Sequence, residues 1–84
     1  MLMQGKVVII SGIGPGLGIE LALLAAREGA QAVVLAARTA SKLSDAAQQI
    51  AALKLGTQTL EVVTDISKAE DCKNLIEKTV VAFG

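Results

Sequence analysis

A chain of 84 residues, with eight basic and eight acidic residues, no histidine and one cysteine, is long enough for one small domain and too short for two. Zero net charge provides no field to steer it toward nucleic acid or an anionic membrane, the lone Cys72 excludes an internal disulfide, and the lack of histidine removes the ordinary ligand sets for zinc. Hydrophobic residues make up 52% of the chain, a proportion more typical of a slice of a larger core than of a free-standing small domain.

Residues 1–6 carry no charged segment leading into a long apolar stretch, so no signal peptide is expected. No run approaches the roughly 18 consecutive apolar residues of a membrane span. The expectation is a soluble chain, and the single cysteine points to the cytoplasm.

The first element is KVVIIS, residues 6–11, a short apolar run rich in β-branched side chains and closed by glycine, as expected of a strand buried on both faces. A glycine-rich turn follows, then a helix with Leu17, Leu21, Leu24 and Ala25 at helical spacing and Gly29 as its stop. QAVVLAA, residues 31–37, reads as a second buried strand. Ser41 is expected to open the next helix, with Asp45 in its first turn and Leu43, Ala47, Ile50 and Leu53 inward, ending at Gly56. TLEVVT, residues 59–64, makes a third strand. Ser67 and Glu70 have the spacing of a capping box, which predicts a third helix with Ala69, Cys72, Ile76, Val80 and Phe83 inward.

Strands alternating with helices imply right-handed crossovers and a parallel sheet in the order 3-2-1, half of a doubly wound α/β fold. No linker, repeat or low-complexity stretch divides residues 1–84, so a single segment is expected, stopping after a third helix and before a fourth strand.

The motif that carries chemistry is Ser11-Gly12-Ile13-Gly14-Pro15-Gly16-Leu17-Gly18, set between a strand and a helix. A helix N-terminus presents unpaired N–H groups and partial positive charge, so a pyrophosphate can sit there if the backbone comes close. Glycine permits the tight turn, the close approach and the packing of helix on strand. The same glycines would also build a tight corner that binds nothing; their place between strand and helix favours the phosphate reading. Walker-type binding is disfavoured because no Gly-Lys-Ser/Thr follows. A methyltransferase using S-adenosylmethionine stands as an alternative, since Gly12-x-Gly14-x-Gly16 fits its glycine pattern, although Ile10 and Ala37 occupy the places where acidic residues are usual there.

The spacing of Gly12, Gly16 and Gly18 is G-x-x-x-G-x-G, preceded by a hydroxyl residue. It resembles the T-G-x-x-x-G-x-G turn of the short-chain dehydrogenase/reductase family, with Ser11 in place of the threonine. The resemblance extends over the whole chain, through LAAR at the end of the second strand, Asp65-Ile66 after the third, and the closing Phe-Gly. It implies a Rossmann-type sheet, binding of a dinucleotide through Ser11, Gly12, Gly14, Gly16, Leu17 and Gly18, and hydride transfer to or from a small carbonyl or alcohol substrate. A homo-oligomer is compatible with the family.

An acidic residue about 20 residues past the glycines accepts the ribose hydroxyls in NAD-preferring proteins of this kind. Here that place holds Ala37, followed by Arg38. A guanidinium can bind a 2′-phosphate bidentately, so Ala37-Arg38 favours NADP(H), with NAD as the alternative. Pro15 departs from relatives that place a second basic residue there. Asp65 falls at the C-terminal end of its strand, the side of a parallel sheet on which ligands bind. The resemblance implies that its side chain meets the adenine amino group and that the Ile66 backbone touches the base. Cys72 reads as a structural cysteine and Asn74 as a solvated helix residue.

Catalysis in the family depends on a tyrosine, a lysine four residues later and a nearby serine. This chain contains no tyrosine, so no catalytic residue is assigned and the 84 residues alone are expected to be inactive. A non-enzymatic dinucleotide-binding or interaction module is the second reading.

Overall fold

The structure is a computed structural model and describes residues 5–11 and 17–84, the side chain of Leu17 excepted. The elements in chain order are β1 (Val7–Ser11), α1 (Leu17–Arg27), β2 (Ala32–Ala37), α2 (Ala40–Ala52), β3 (Gln58–Val63) and α3 (Ala69–Phe83). The three strands form one parallel sheet with β2 in the middle. This is the expected 3-2-1 order. The register pairs Ser11 with Ala36 and Ala37 with Val63, so the C-terminal ends of the strands lie along one edge.

Every residue of β2 is buried, because it has a strand on each side and helices on each face. Successive side chains of a strand point to opposite faces. Val33, Leu35 and Ala37 accordingly join Ala22, Ala25 and Ala26 of α1 and Leu43, Ala46 and Ile50 of α2 in one core. Val34 and Ala36 join Val62 and Leu75 of α3 in a second core on the other face. Full burial of a side chain such as Leu43 or Ile50 stabilises by about 1.5–3 kcal/mol, so the α1/α2 face carries most of the packing.

Helix α1 meets the sheet through alanines rather than leucines. Leu21 and Leu24, expected inward, are 43% and 52% exposed, while Ala22 and Ala26 are each 1% exposed. Small side chains let the helix backbone approach the strands, and the leucines on the neighbouring stripe then project beyond the contact. Its C-terminus is closed as expected by Gly29, at φ 88. The Ala30 amide donates to Ala25 and the Gly29 amide to Ala26, each at 3.1 Å, the paired bonds of a Schellman cap.

Helix α2 starts one residue before the expected Ser41. Thr39 is the N-cap, in extended conformation and without a side-chain capping bond, and no acidic residue falls in the first turn, which leaves Asp45 further along the helix. Its inner face is Leu43, Ala46 and Ile50, with Ala47 and Leu53 partly buried beside them. The helix ends at Ala52, before the expected Gly56, and Lys54 turns the chain at φ 54.

Two expectations fail around α3. The buried residue of that helix is Leu75, and Phe83 is partly buried beside it, whereas Ile76 and Val80 are 53% and 56% exposed and Ala69 is exposed. The stripe through Ile76 and Val80 is rotated away from β2 and β3 toward the outer edge of β1. There, with Val7, Ile9 and Phe83, it lines an apolar groove of ≈ 270 Å³. Strand β1 is therefore half-exposed instead of buried on both faces, and among the described residues it pairs with β2 alone.

Candidate functional site

Ser11, Arg38, Asp65 and Ile66 stand along the C-terminal edge of the sheet. Ser11 is the last residue of β1 and is exposed. Gly18 lies in the first turn of α1 and is half-buried, and Leu17 is the first residue of that helix. The expected phosphate contacts at Gly12, Gly14 and Gly16 lie outside the described residues. What is described is what flanks them, the end of β1 and the start of an eleven-residue helix.

Arg38 follows β2 directly and is exposed. Ala37, only 8% exposed, is part of the α1/α2 core, so the residue just before Arg38 carries an apolar side chain packed beneath the helices. The Thr64 amide donates to the Ala37 carbonyl at 2.8 Å, extending the β2–β3 ladder past the last strand pair. This extension brings the segment after β3 alongside Arg38.

Asp65 is half-buried at the head of the β3–α3 loop. Its Oδ1 accepts the Ser67 amide at 3.0 Å and the Ser67 hydroxyl at 2.6 Å. Its own amide donates to Asp71 Oδ2 at 2.8 Å, and its carbonyl accepts the Lys68 amide at 2.9 Å. The Asp65 carboxyl is held below its ordinary value of 3.8, first by the Ser67 hydroxyl and then by the Ser67 amide; partial desolvation opposes this, and the charges of Arg38 and Lys68 assist it. Arg38 thus acts electrostatically on Asp65 across the edge of the sheet.

The capping box expected at Ser67 and Glu70 does not form. Lys68 is the N-cap of α3 and makes no side-chain capping bond, because its ammonium carries no acceptor; Ser67 lies one residue before the cap, its hydroxyl donating to Asp65 Oδ1. Asp65 therefore shapes the loop itself, a role the capping pattern had given to Ser67. Both its bonds fall on Oδ1, and Oδ2 takes none among the described residues.

Asp71 was not singled out by the sequence pattern. Its only signal is an acidic residue in the first turn of α3, where negative charge suits the helix dipole. Ile66 is 64% exposed, and its carbonyl receives the half-buried Cys72 thiol at 3.6 Å. Among the described residues no group of three acidic or cysteine side chains could hold a metal, and no helix is long and apolar enough to cross a membrane.

A parallel α/β half with a glycine-rich sequence between its first strand and first helix has the architecture of a Rossmann-type fold. Residues 6–84 match the family described as short chain dehydrogenase. The chain is 43% identical over 83 residues to 11-beta-hydroxysteroid dehydrogenase A of Sesamum indicum, covering 98% of this chain and 23% of that protein. It is similar to the structure of L-sorbose reductase from Gluconobacter frateurii complexed with NADPH and L-sorbose, with a TM-score of 0.87 and 35% identity over 98% of this chain and 30% of that one. An NAD+-bound xylitol dehydrogenase gives a TM-score of 0.88 at 26% identity, over 100% of this chain and 31% of that one.

The chain belongs to the short chain dehydrogenase family. It spans between 23% and 33% of the length of the first curated relatives it matches.

Proposed function

We propose that these residues form the NADP(H)-binding part of a short chain oxidoreductase that moves hydride between a nicotinamide and a carbonyl or alcohol substrate. The observation that carries the reading is the end of β2, where a buried Ala37 excludes a ribose-binding acid and an exposed Arg38 follows at the ligand edge of the sheet. Arg38 offers a planar, permanently charged fork to a 2′-phosphate, which a carboxylate at that place would repel. NADPH is bound in L-sorbose reductase and NAD+ in xylitol dehydrogenase, so both cofactors are compatible with this fold, and Arg38 tips the choice.

In this reading the backbone at the start of α1 holds the pyrophosphate, with Ser11 beside it, Arg38 holds the 2′-phosphate, and the Asp65–Ile66 segment bounds the adenine. When bound, the nicotinamide supplies or accepts the hydride. No tyrosine is present to serve as acid or base, so the reading places the proton-transfer groups outside these 84 residues. The test is calorimetric titration of the full-length protein with NADPH and with NADH. NADPH should bind at least about tenfold more tightly, the least that a charge-assisted phosphate contact contributes; equal or tighter binding of NADH would remove the preference for NADP(H).

A further inference from the structure

Loops after parallel strands need something to hold them, since they lie outside the sheet ladder. The segment following β3 is tied to α3 by two bonds that each span six residues: the Asp65 amide donates to Asp71 Oδ2 at 2.8 Å, and the Cys72 thiol, a weak donor, reaches the Ile66 carbonyl at 3.6 Å. Asp71 sits on the first turn of α3 and is half-buried, so its carboxylate is positioned by a 15-residue helix instead of by the loop. The remaining contacts of the loop are local: Ser67 folds back onto Asp65 Oδ1, and Lys68 onto the Asp65 carbonyl. These local bonds set the shape of the turn but do not fix it relative to α3. The Asp71 bond is the stronger of the two that do so, and Asp65 Oδ2 is left without a partner among the described residues, with Ile66 exposed beside it.

We propose that Asp71 is a positioning residue for cofactor binding, pinning the Asp65 backbone to α3 so that Asp65 Oδ2 and the Ile66 backbone meet the adenine in a fixed place. The inference rests on the dinucleotide reading above. Asp71 does not touch the cofactor. It lowers the cost of ordering the loop when the adenine arrives, a gain by preorganisation. The effect is confined to ligands that carry adenine. A reduced nicotinamide mononucleotide occupies the other half of the site and gains nothing from it.

The experiment compares Asp71→Ala and Asp71→Asn in the full-length protein, titrated with 2′,5′-ADP and with reduced nicotinamide mononucleotide. Asp71→Ala should weaken 2′,5′-ADP about five- to tenfold, somewhat less than the roughly tenfold or more of a directly lost hydrogen bond to a charged acceptor because Asp71 acts through the loop, and leave the mononucleotide within about twofold. Asp71→Asn retains a carbonyl acceptor and should restore 2′,5′-ADP binding to within about threefold of the unmodified protein. Equal weakening of both ligands, or none of 2′,5′-ADP, overturns the inference while leaving the dinucleotide reading intact. If the unmodified protein binds neither 2′,5′-ADP nor NADPH, both fall together. Hydrogen exchange at the Asp65 amide of the unmodified protein is independent of how the variants fold: protection without ligand is expected, and exchange as fast as at an exposed loop amide contradicts a pinned loop.

Discussion

The amide of Thr64 donates to the carbonyl of Ala37 at 2.8 Å, one step beyond the last register pair of β2 and β3. That bond aligns the ends of the two strands, so the residues that follow, Arg38 on one and Asp65 on the other, share an edge and interact electrostatically. The candidate site follows from this alignment, because neither residue is held in place by a core of its own.

The Asp65 carboxyl should titrate below 3.8 in the folded protein, since the Ser67 hydroxyl and amide favour its charged form. A depressed folded value means that the stabilisation is present above the unfolded pKa and is lost as pH falls through the folded pKa. Carboxyl-detected NMR titration reads it directly. Ser67→Ala should move the midpoint up toward the ordinary value, and a midpoint at or above 3.8 in the unmodified protein would contradict the network.

Gly29 closes α1 at φ 88, in the left-handed region. A side chain there should destabilise the full-length protein, and Gly29→Ala is expected to cost about 1–2 kcal/mol. The midpoint of urea denaturation measures the change. An unaltered midpoint would mean that the cap is not held in this conformation.

The 84 residues expressed alone should aggregate or melt without cooperativity. Strand β1 presents an open edge among the described residues, and beside it Val7, Ile9, Ile76 and Val80 line an apolar groove, a combination that templates association. Light scattering and a thermal melt of the 84-residue chain check this. A soluble monomer with a sharp cooperative melt would show that the segment is self-sufficient, and so would favour a binding module over part of an enzyme.

Sequence reading succeeded where one physical requirement dominates. AVVLAA had to be a central strand because both of its faces are apolar, and the alternation of strands and helices then dictated parallel order with β2 in the middle. Helix faces were less legible because two stripes compete on the same helix. In α1 the leucine stripe is the more hydrophobic, yet the alanine stripe meets the sheet since it permits closer approach. In α3 the stripe through Ile76 and Val80 is equally apolar, and only the position of β1 shows why Leu75 is the one buried. The exposed position of Arg38 directly after β2 was legible in the sequence. The Asp71 bond was not, because it depends on where α3 begins, and the S-x-x-E spacing pointed to a helix starting at Ser67 while the cap falls one residue later, at Lys68.

The central claim is that Arg38 selects the cofactor by holding a 2′-phosphate, and it is tested most directly by titrating the full-length Arg38→Ala variant with NADPH and NADH. The variant should lose about 1.5–3 kcal/mol for NADPH, a factor of roughly 10 to 150 in affinity, and bind NADH within about twofold of the unmodified protein. An NADPH-to-NADH affinity ratio unchanged by the substitution would contradict the account.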